Sequence, residues 1–447
     1  MAVSILKPKG SSISSNDKVL RQSSSQKDCN NDTNRVTKNV LPNGITLLYK
    51  QIPVNDVVAV NVFIKGGKAS QNKAGLANIL ANMLLKGTCA RSARDIAQQL
   101  EARGIELDAS ASDDFIKINL KSTNDDFAEA FMILSDILNN SCFKQEELDK
   151  VKETMKNAVK ANQDSPLTYS LEKLIMNIYK NHPYGDVGEK IINNLPDISR
   201  ENIIDYYQKY FVPSNMIISV VGNISPEEVK EYIQQSWCGN SKDQVDEKNK
   251  LISDLTKNVL LKETKNTEAA WISMAWIAPK ISDKDYATLK VIDAMLGNGL
   301  SSRLAVNLRE KLGLAYSLGT IFPSRKDKST FVMYIGTNPK NINIALKGFK
   351  KEIKALQSTL ITKKELESVK QKLIGQFELS HETNMQQGYY LGWFETMNMG
   401  YELDKKFPEL INNVTSEQIQ TLSKQIFSKS YVLSVVAPEK AVKLLKE

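Results

Sequence analysis

The order of apolar and polar positions divides the chain into short alternating segments and longer segments with helical spacing. Residues 76–84 have apolar side chains at i, i+3, i+4, i+7 and i+8, which predicts an amphipathic helix. Apolar runs, alternating or continuous, predict strands at 45–49, 57–64, 105–110, 114–122 and 216–221. Further helices are predicted at 92–103, 127–139 and 145–163.

The pattern then repeats after a polar, charged segment at 239–258, which we interpret as a linker. Glu-Leu-Asp-Lys-Val-Lys at 147–152 reappears as Glu-Leu-Glu-Ser-Val-Lys at 365–370, and Ser-Val-Val at 219–221 reappears at 434–436. Two matches at nearly the same offset indicate a duplicated unit of roughly 200 residues, because solenoid repeats have periods of only about 20–50 residues. The sequence therefore predicts an α+β fold with two homologous halves, 38–238 and 259–447.

Residues 1–37 are rich in Ser, Asn and Lys and have too few apolar residues to fold alone, which predicts a disordered tail. This segment has no apolar stretch typical of a secretory signal, and Asp17, Asp28 and Asp32 argue against an organellar transit peptide. No run approaches the roughly 18 apolar residues of a membrane span. We expect a soluble chain without a membrane span, in the cytoplasm or periplasm rather than an organelle, and the sequence does not fix the compartment.

The net charge of +8 comes from lysines scattered among acidic residues. The sequence contains no basic stripe interleaved with aromatic residues, which argues against nucleic-acid binding. The positive balance would suit acidic peptides, and solubility explains it equally well.

Candidate chemistry enters with the segment 75–88. Its Gly-x-Ala beginning and its Met-x-x-Lys-Gly-Thr end resemble the zinc-site helix of the pitrilysin/insulinase peptidases, family M16. In that family the helix carries His-x-x-Glu-His, and a Glu roughly 75 residues later completes the zinc site. The corresponding positions here are Asn78, Ala81, Asn82 and the pair Asn157-Ala158.

These replacements remove the zinc chemistry from this chain. Carboxamides are poor zinc ligands, and alanine cannot act as a base. The two histidines, His182 and His381, lie far from these helices in the sequence and are interpreted as structural or hydrogen-bonded groups. Because all the required groups are lost together, we expect no metal in this chain and no displaced site.

The second half retains a different part of the family pattern. A glycine-rich turn at 296–304 should begin a helix with Leu304, Leu308 and Leu312 on its buried face, followed by a strand at 315–318. The resemblance implies that Arg309 and Tyr316, seven residues apart, hydrogen-bond substrate carbonyl groups and a developing oxyanion. The alternative is structural, since an Arg near a helix C-terminus is favoured by the helix dipole in any protein.

The resemblance therefore implies a non-catalytic subunit of a clam-shaped heterodimer. A catalytic M16 partner would hold the zinc, and this chain would contribute Arg309 and Tyr316 to peptide binding. The alternative is a purely structural or receptor subunit, similar to a respiratory-complex core subunit or to the receptor subunit of a processing peptidase. That receptor type normally carries a long glycine-rich loop, and the turn at 296–304 is too short for it.

Overall fold

The computed structural model describes residues 35–237, 245, 251–443 and 445. Most of the predicted tail, 1–37, and most of the predicted linker, 239–258, lie outside these residues. The first strand begins at Val36, two residues before the boundary expected from the sequence. No helix in the described part of the chain is long and apolar enough to cross a membrane.

The first half forms one sheet with helices against it. Its strands are β1 (Val36–Val40), β2 (Thr46–Gln51), β3 (Val57–Lys65), β4 (Glu106–Ala111), β5 (Phe115–Thr123) and β6 (Met216–Gly222). Its helices are α1 (Leu76–Leu84), α2 (Ala93–Glu101), α3 (Phe127–Asn140), α4 (Gln145–Asp164), α5 (Pro166–Ile178), α6 (Glu189–Asn194), α7 (Arg200–Tyr210) and α8 (Pro226–Ser236). The strand order is β1-β2-β6-β3-β5-β4, with β2 and β6 parallel and the other neighbours antiparallel.

The second half repeats this arrangement. Its strands are β7 (Val259–Thr264), β8 (Ala270–Ala278), β9 (Ala315–Ile321), β10 (Ser329–Thr337) and β11 (Val432–Ala437). Its helices are α9 (Tyr286–Gly297), α10 (Ile342–Ser358), α11 (Lys363–Leu379), α12 (Asn384–Thr396), α13 (Leu403–Asn412), α14 (Ser416–Phe427) and α15 (Glu439–Lys443). The order β7-β11-β8-β10-β9 reproduces β2-β6-β3-β5-β4, and β7 with β11 is again the parallel pair. The predicted α+β fold with two homologous halves is confirmed.

Local sequence explains the element boundaries. In α2, the Ser92 hydroxyl accepts from the Asp95 backbone N–H while the Asp95 carboxylate accepts from the Ser92 N–H, so this capping box fixes the start of the helix. Gly104, with φ +64°, adopts the left-handed conformation that ends the segment. The five apolar residues of α1 predicted to share a face are all buried.

The two halves exchange helices. Helix α5 of the first half packs on β8 and β11 of the second sheet, and α12 of the second half packs on β3 and β6 of the first. The Ser170 hydroxyl in α5 lies 3.0 Å from that of Ser273 and 3.1 Å from that of Ser434. The offset that relates position 147 to position 365 relates Ser170 to Gly388 in α12, where a Cβ atom would lie only 2.6 Å from the Asn61 amide nitrogen. Each sheet is thus covered on one face by a helix from the other half.

Candidate functional site

The residues at the two ends of helix α1 have structural roles. Gly75 precedes the helix with φ +94°, and a Cβ atom there would lie 3.0 Å from an Ile191 methyl group. Gly87, with φ +121°, follows the helix, and the next residue, Thr88, donates from its hydroxyl to Asp136 of α3 at 2.7 Å. Gly75, Gly87 and Thr88 therefore each have a structural role at the ends of α1.

The three positions of α1 that were compared with the zinc-site motif, Asn78, Ala81 and Asn82, differ in their exposure to solvent. Ala81 is only 1% exposed, so this position points into packed protein rather than towards solvent. Asn82 is exposed, and its side-chain amide donates to the Asn78 backbone carbonyl at 2.8 Å. The Asn78 side-chain oxygen is buried and has no hydrogen-bond partner among the described residues. The two carboxamides therefore differ, since that of Asn82 is bonded to its own helix and that of Asn78 has a buried oxygen without a partner among the described residues.

Helix α4 packs against α1 and carries the pair Asn157-Ala158, which corresponds to the later Glu of the zinc-site motif. Asn157 and Ala158 are both exposed. The nearest carboxylate in the sequence, Glu153, is exposed and lies 3.5 Å from Lys156 in an ion pair. Within the described residues, no group of three or more His, Cys, Asp or Glu side chains could hold a metal ion. The three carboxamides and two alanines at the compared positions do not fit zinc, which needs about three imidazole, thiolate or carboxylate donors.

Neither histidine belongs to this region. His182 is buried, and its Nδ1 accepts from the Tyr184 backbone N–H at 3.2 Å. His381 lies between Asp404, 2.7 Å from Nε2, and the Phe377 carbonyl, 2.7 Å from Nδ1. Burial lowers the pKa of His381, and the hydrogen bonds to these two acceptors raise it by more, so the imidazole titrates above its ordinary value.

Arg309 and Tyr316 lie on one corner of the second half. Residues Ala305–Glu310 form a π-helix instead of the ordinary helix expected, and Arg309 is in its last turn. The Arg309 guanidinium donates to the Tyr316 backbone carbonyl at 3.4 Å. Tyr316 lies on β9, an edge strand, and is 70% exposed. The expected proximity of the two residues is present, and the Tyr316 side chain is open to a partner molecule.

One detail of the predicted helix is wrong. Leu304 and Leu308 are buried, but Leu312 is 56% exposed. The π-helix ends at Glu310, and Gly313 takes φ +62°, so Leu312 belongs to the turn and not to the buried face. Hydrogen bonds from the Gly313 N–H to the Arg309 carbonyl and from the Leu314 N–H to the Leu308 carbonyl close this turn.

The π-helix is anchored from behind. Leu308 packs on Gly348 of α10, where a Cβ atom would lie 3.1 Å from the leucine side chain. The Asn307 amide donates to the buried Glu352 carboxylate at 2.9 Å, and this acid also belongs to α10. Because π-helical turns are rare and occur often at functional sites, this segment is a reasonable carrier for a functional side chain.

Sequence reasoning missed a cluster where two equivalent hairpins meet. Arg325, between β9 and β10, donates to Asp113, between β4 and β5, at 2.7 Å and to the Tyr179 hydroxyl at 2.8 Å. Its guanidinium carbon lies 4.9 Å and 4.8 Å from the ring centroids of Tyr179 and Tyr184. Asp113 and Arg325 are 212 residues apart, and no motif marks either one, so only the folded topology reveals the contact.

Asp114 is the second carboxylate of this cluster. It accepts from the Tyr184 hydroxyl and from the Lys326 backbone N–H. Burial raises the pKa of Asp114 to about 6, although both hydrogen bonds act in the opposite direction. A cavity of about 450 Å³ borders it, lined also by His182 and Lys280. We interpret the cluster as the polar core of the contact between the halves.

Comparison with known proteins decides the family. The family model described as insulinase (peptidase family M16) matches residues 46–188, and the model described as peptidase M16 inactive domain matches residues 197–373. Together these matches cover more than half of the chain. The chain belongs to peptidase family M16.

Individual relatives match over about nine tenths of the chain. The uncharacterised zinc protease YmxG of Bacillus subtilis is 27% identical over 399 residues, covering 89% of this chain and 97% of the relative. An uncharacterised zinc protease of Rickettsia felis is 25% identical over 402 residues, covering 89% and 96%.

Solved structures of similar proteins support the same fold. A peptidase M16 inactive domain from Pseudomonas fluorescens superimposes with a TM-score of 0.81 at 20% identity, covering 90% of this chain and 98% of that chain. A protease from Helicobacter pylori superimposes with a TM-score of 0.84 at 18% identity, covering 91% and 100%. At this identity the likeness concerns the fold alone.

Proposed function

We propose that this M16 protein is the non-catalytic subunit of a two-chain zinc peptidase. The proposal rests on a difference between the two halves in the residues that they carry. The positions of the zinc ligands and the base hold Asn78, Ala81 and Asn82, whereas Arg309 and the 70% exposed Tyr316 remain together on the second half. The exposed Tyr316 side chain beside Arg309 is the feature that favours this proposal over a purely structural subunit.

The division of labour follows from the groups that each chain supplies. The partner, an M16 chain with an intact His-x-x-Glu-His helix, would bind the zinc that activates water for attack on a peptide bond. The Arg309 guanidinium and the Tyr316 hydroxyl would donate hydrogen bonds to the substrate carbonyl and to the charge that develops on its oxygen. Peptides or unfolded segments are the substrate class that this arrangement fits.

The first experiment separates the chain from its complex. The protein is purified alone and as the complex recovered from its native source, and both samples are tested for bound zinc and for cleavage of a peptide library. We expect the chain alone to be free of zinc and inert, and the complex to carry zinc and to cleave peptides. Zinc-dependent cleavage by the chain alone would refute the assignment, and a complex without activity would favour a structural or receptor subunit.

Substitution of the pair tests the assigned roles. Tyr316→Phe and Arg309→Ala should each reduce the turnover of the complex by roughly 100- to 1,000-fold, the effect of losing one oxyanion donor, and leave complex formation unchanged. Arg94→Ala, which removes an exposed arginine on α2, is the control and should have no effect on turnover. A parallel loss of turnover and of assembly would show that the pair is structural.

A further inference from the structure

Helix α10 places four lysines of one short segment, 347–354, on one exposed face. Lys347, Lys350, Lys351 and Lys354 are all exposed. At about 100° per residue they lie within roughly a third of the helix circumference. The opposite face is buried against the second-half core through Ala345, Phe349 and Leu356, among others. We call these four lysines the α10 lysine face.

No acidic side chain of α10 neutralises this face. The only acid in the helix is Glu352, which is 5% exposed and accepts from Asn307 on the inner side. Among residues 35–237 and 251–443, the ion pairs found involve none of the four lysines. Helix α4 differs, because its exposed surface pairs Glu147 with Lys150 and Glu153 with Lys156. The α10 lysine face therefore carries four lysines without an ion-pair partner among the described residues.

The duplicated fold supplies an internal comparison. The offset that relates Ser219 to Ser434 also relates the first residue of α3 to the first residue of α10, so α3 is the counterpart of α10 in the first half. Helix α3 has no lysine, and its acids Glu129 and Asp136 pair with arginines. The fold therefore does not require a basic surface at this place, and the lysines of α10 are a property of this half alone.

The chemistry of the face indicates its partner. Protein interfaces are enriched in aromatic residues and arginine and are poor in lysine, and single-stranded nucleic acids are bound through aromatic stacking. The lysine face contains neither aromatic residues nor arginine. Two aliphatic side chains lie near the ends of the helix instead, Ile344 at 48% exposure and Leu360 at 49%. Lysines beside exposed aliphatic residues suit a layer of anionic headgroups, because each lysine near such a surface adds to the attraction.

We propose that the α10 lysine face binds the anionic phospholipid headgroups of a membrane surface, so that the protein associates peripherally with that membrane. Glu352 faces inward towards the π-helix that carries Arg309, so a membrane bound at the lysine face would lie on the outer side of α10. The inference does not depend on the proposed peptidase function.

Vesicle flotation tests the proposal. The full chain is mixed with vesicles of phosphatidylcholine alone or with added phosphatidylglycerol. We expect binding only to the second kind, weakening as salt is raised because the attraction is electrostatic. A variant with Lys347, Lys350, Lys351 and Lys354 all changed to Gln should bind at least about tenfold more weakly, given the contribution of each lysine. Circular dichroism checks that the variant is folded.

A matched control removes the same charge elsewhere. Lys284, Lys405, Lys406 and Lys440 are exposed residues outside α10, and their change to Gln should leave most of the binding intact. Equal binding to both kinds of vesicle, or equal losses in the two variants, would overturn the proposal. Preferential binding of an RNA homopolymer or of an acidic protein in competition with the vesicles would also overturn it, as would full competition by soluble glycerol phosphate.

Discussion

Asp114 shows how one residue can make the contact between the halves sensitive to pH. Its carboxyl is 8% exposed and lies beside Asp113, which is held by Arg325. Burial of the charged form of Asp114 is unfavourable, which is why its pKa is about 6 in the folded protein against an ordinary value near 3.9. At pH values between these two pKa values, the Asp114 carboxyl binds its proton more tightly in the folded state than in the unfolded state.

The sign of the pH effect follows from this difference. As the pH rises from about 4 to about 7, Asp114 in the folded state loses its proton at an unfavourable place, so stability falls by roughly 2–3 kcal/mol relative to a chain without this group. We expect the free energy of unfolding of the wild type to fall relative to that of Asp114→Asn over this range. Urea denaturation at several pH values measures it, and parallel curves would contradict the prediction.

Asp113→Asn is the control for this measurement. Burial raises the pKa of Asp113, but Arg325 and Lys68 lower it by more, so the net shift is downward. The stabilisation by the Asp113 charge is therefore present above the unfolded pKa and lost as the pH falls through the folded value. Relative to Asp113→Asn, the wild type should gain stability as the pH rises, the opposite sign to Asp114.

At the scale of elements, helix α12 lies unusually close to the sheet of the other half. A Cβ atom on Gly392 would lie 2.3 Å from the Phe63 ring of β3. Phe63 is fully buried and contacts Phe115 and Tyr389, so it has little room to move. Glycine at this position is required by the close approach of helix and sheet and not by backbone conformation.

Two glycine substitutions separate packing from helix propensity. Gly392→Ala should destabilise the protein by roughly 1–3 kcal/mol, the usual range for overpacking a core. Gly375→Ala on α11 meets nothing within 4 Å and should stabilise by up to about 1 kcal/mol, because alanine favours the helix. Urea denaturation of both variants measures the difference, and equal effects would show that the Phe63 contact does not restrict α12.

Elements of this kind were largely predictable, and their contacts were not. Periodicity and local capping depend only on residues close together in the sequence. They predict the strands near 57–64 and 216–221 and the helix capped by Ser92. The π-helix was not predicted, because the spacing of Leu304, Leu308 and Leu312 is the same for an ordinary helix. The candidate site was recognised by resemblance, whereas the Arg325 cluster depends on contacts across 212 residues.

For the whole molecule, the exchange of α5 and α12 makes each half incomplete alone. In α5, Leu174 and Ile178 are buried in a cluster with Ala275 and Val432 of the second sheet. An isolated first half would expose this apolar face of α5 and lose the cover of its own sheet. The two halves should therefore form one cooperative unit despite their separate sheets.

Hydrogen exchange followed by mass spectrometry tests this cooperativity. With increasing urea, the central strands β6 (Met216–Gly222) and β11 (Val432–Ala437) should lose protection at the same concentration. A chain limited to residues 35–237 should show no cooperative transition. Loss of protection in one sheet well before the other would show that the exchanged helices do not couple the halves.

Ser170 and Gly388 occupy equivalent positions in the two halves but are not interchangeable. In a molecule built from two first halves, a serine would stand at the position of Gly388. Its Cβ atom would lie too close to the Asn61 amide nitrogen. One built from two second halves would place a bare glycine over Ser273 and Ser434 and leave their hydroxyls without the group that now bridges them. At this contact the two halves are complementary rather than alike, because each sheet fits the residue that the other half supplies.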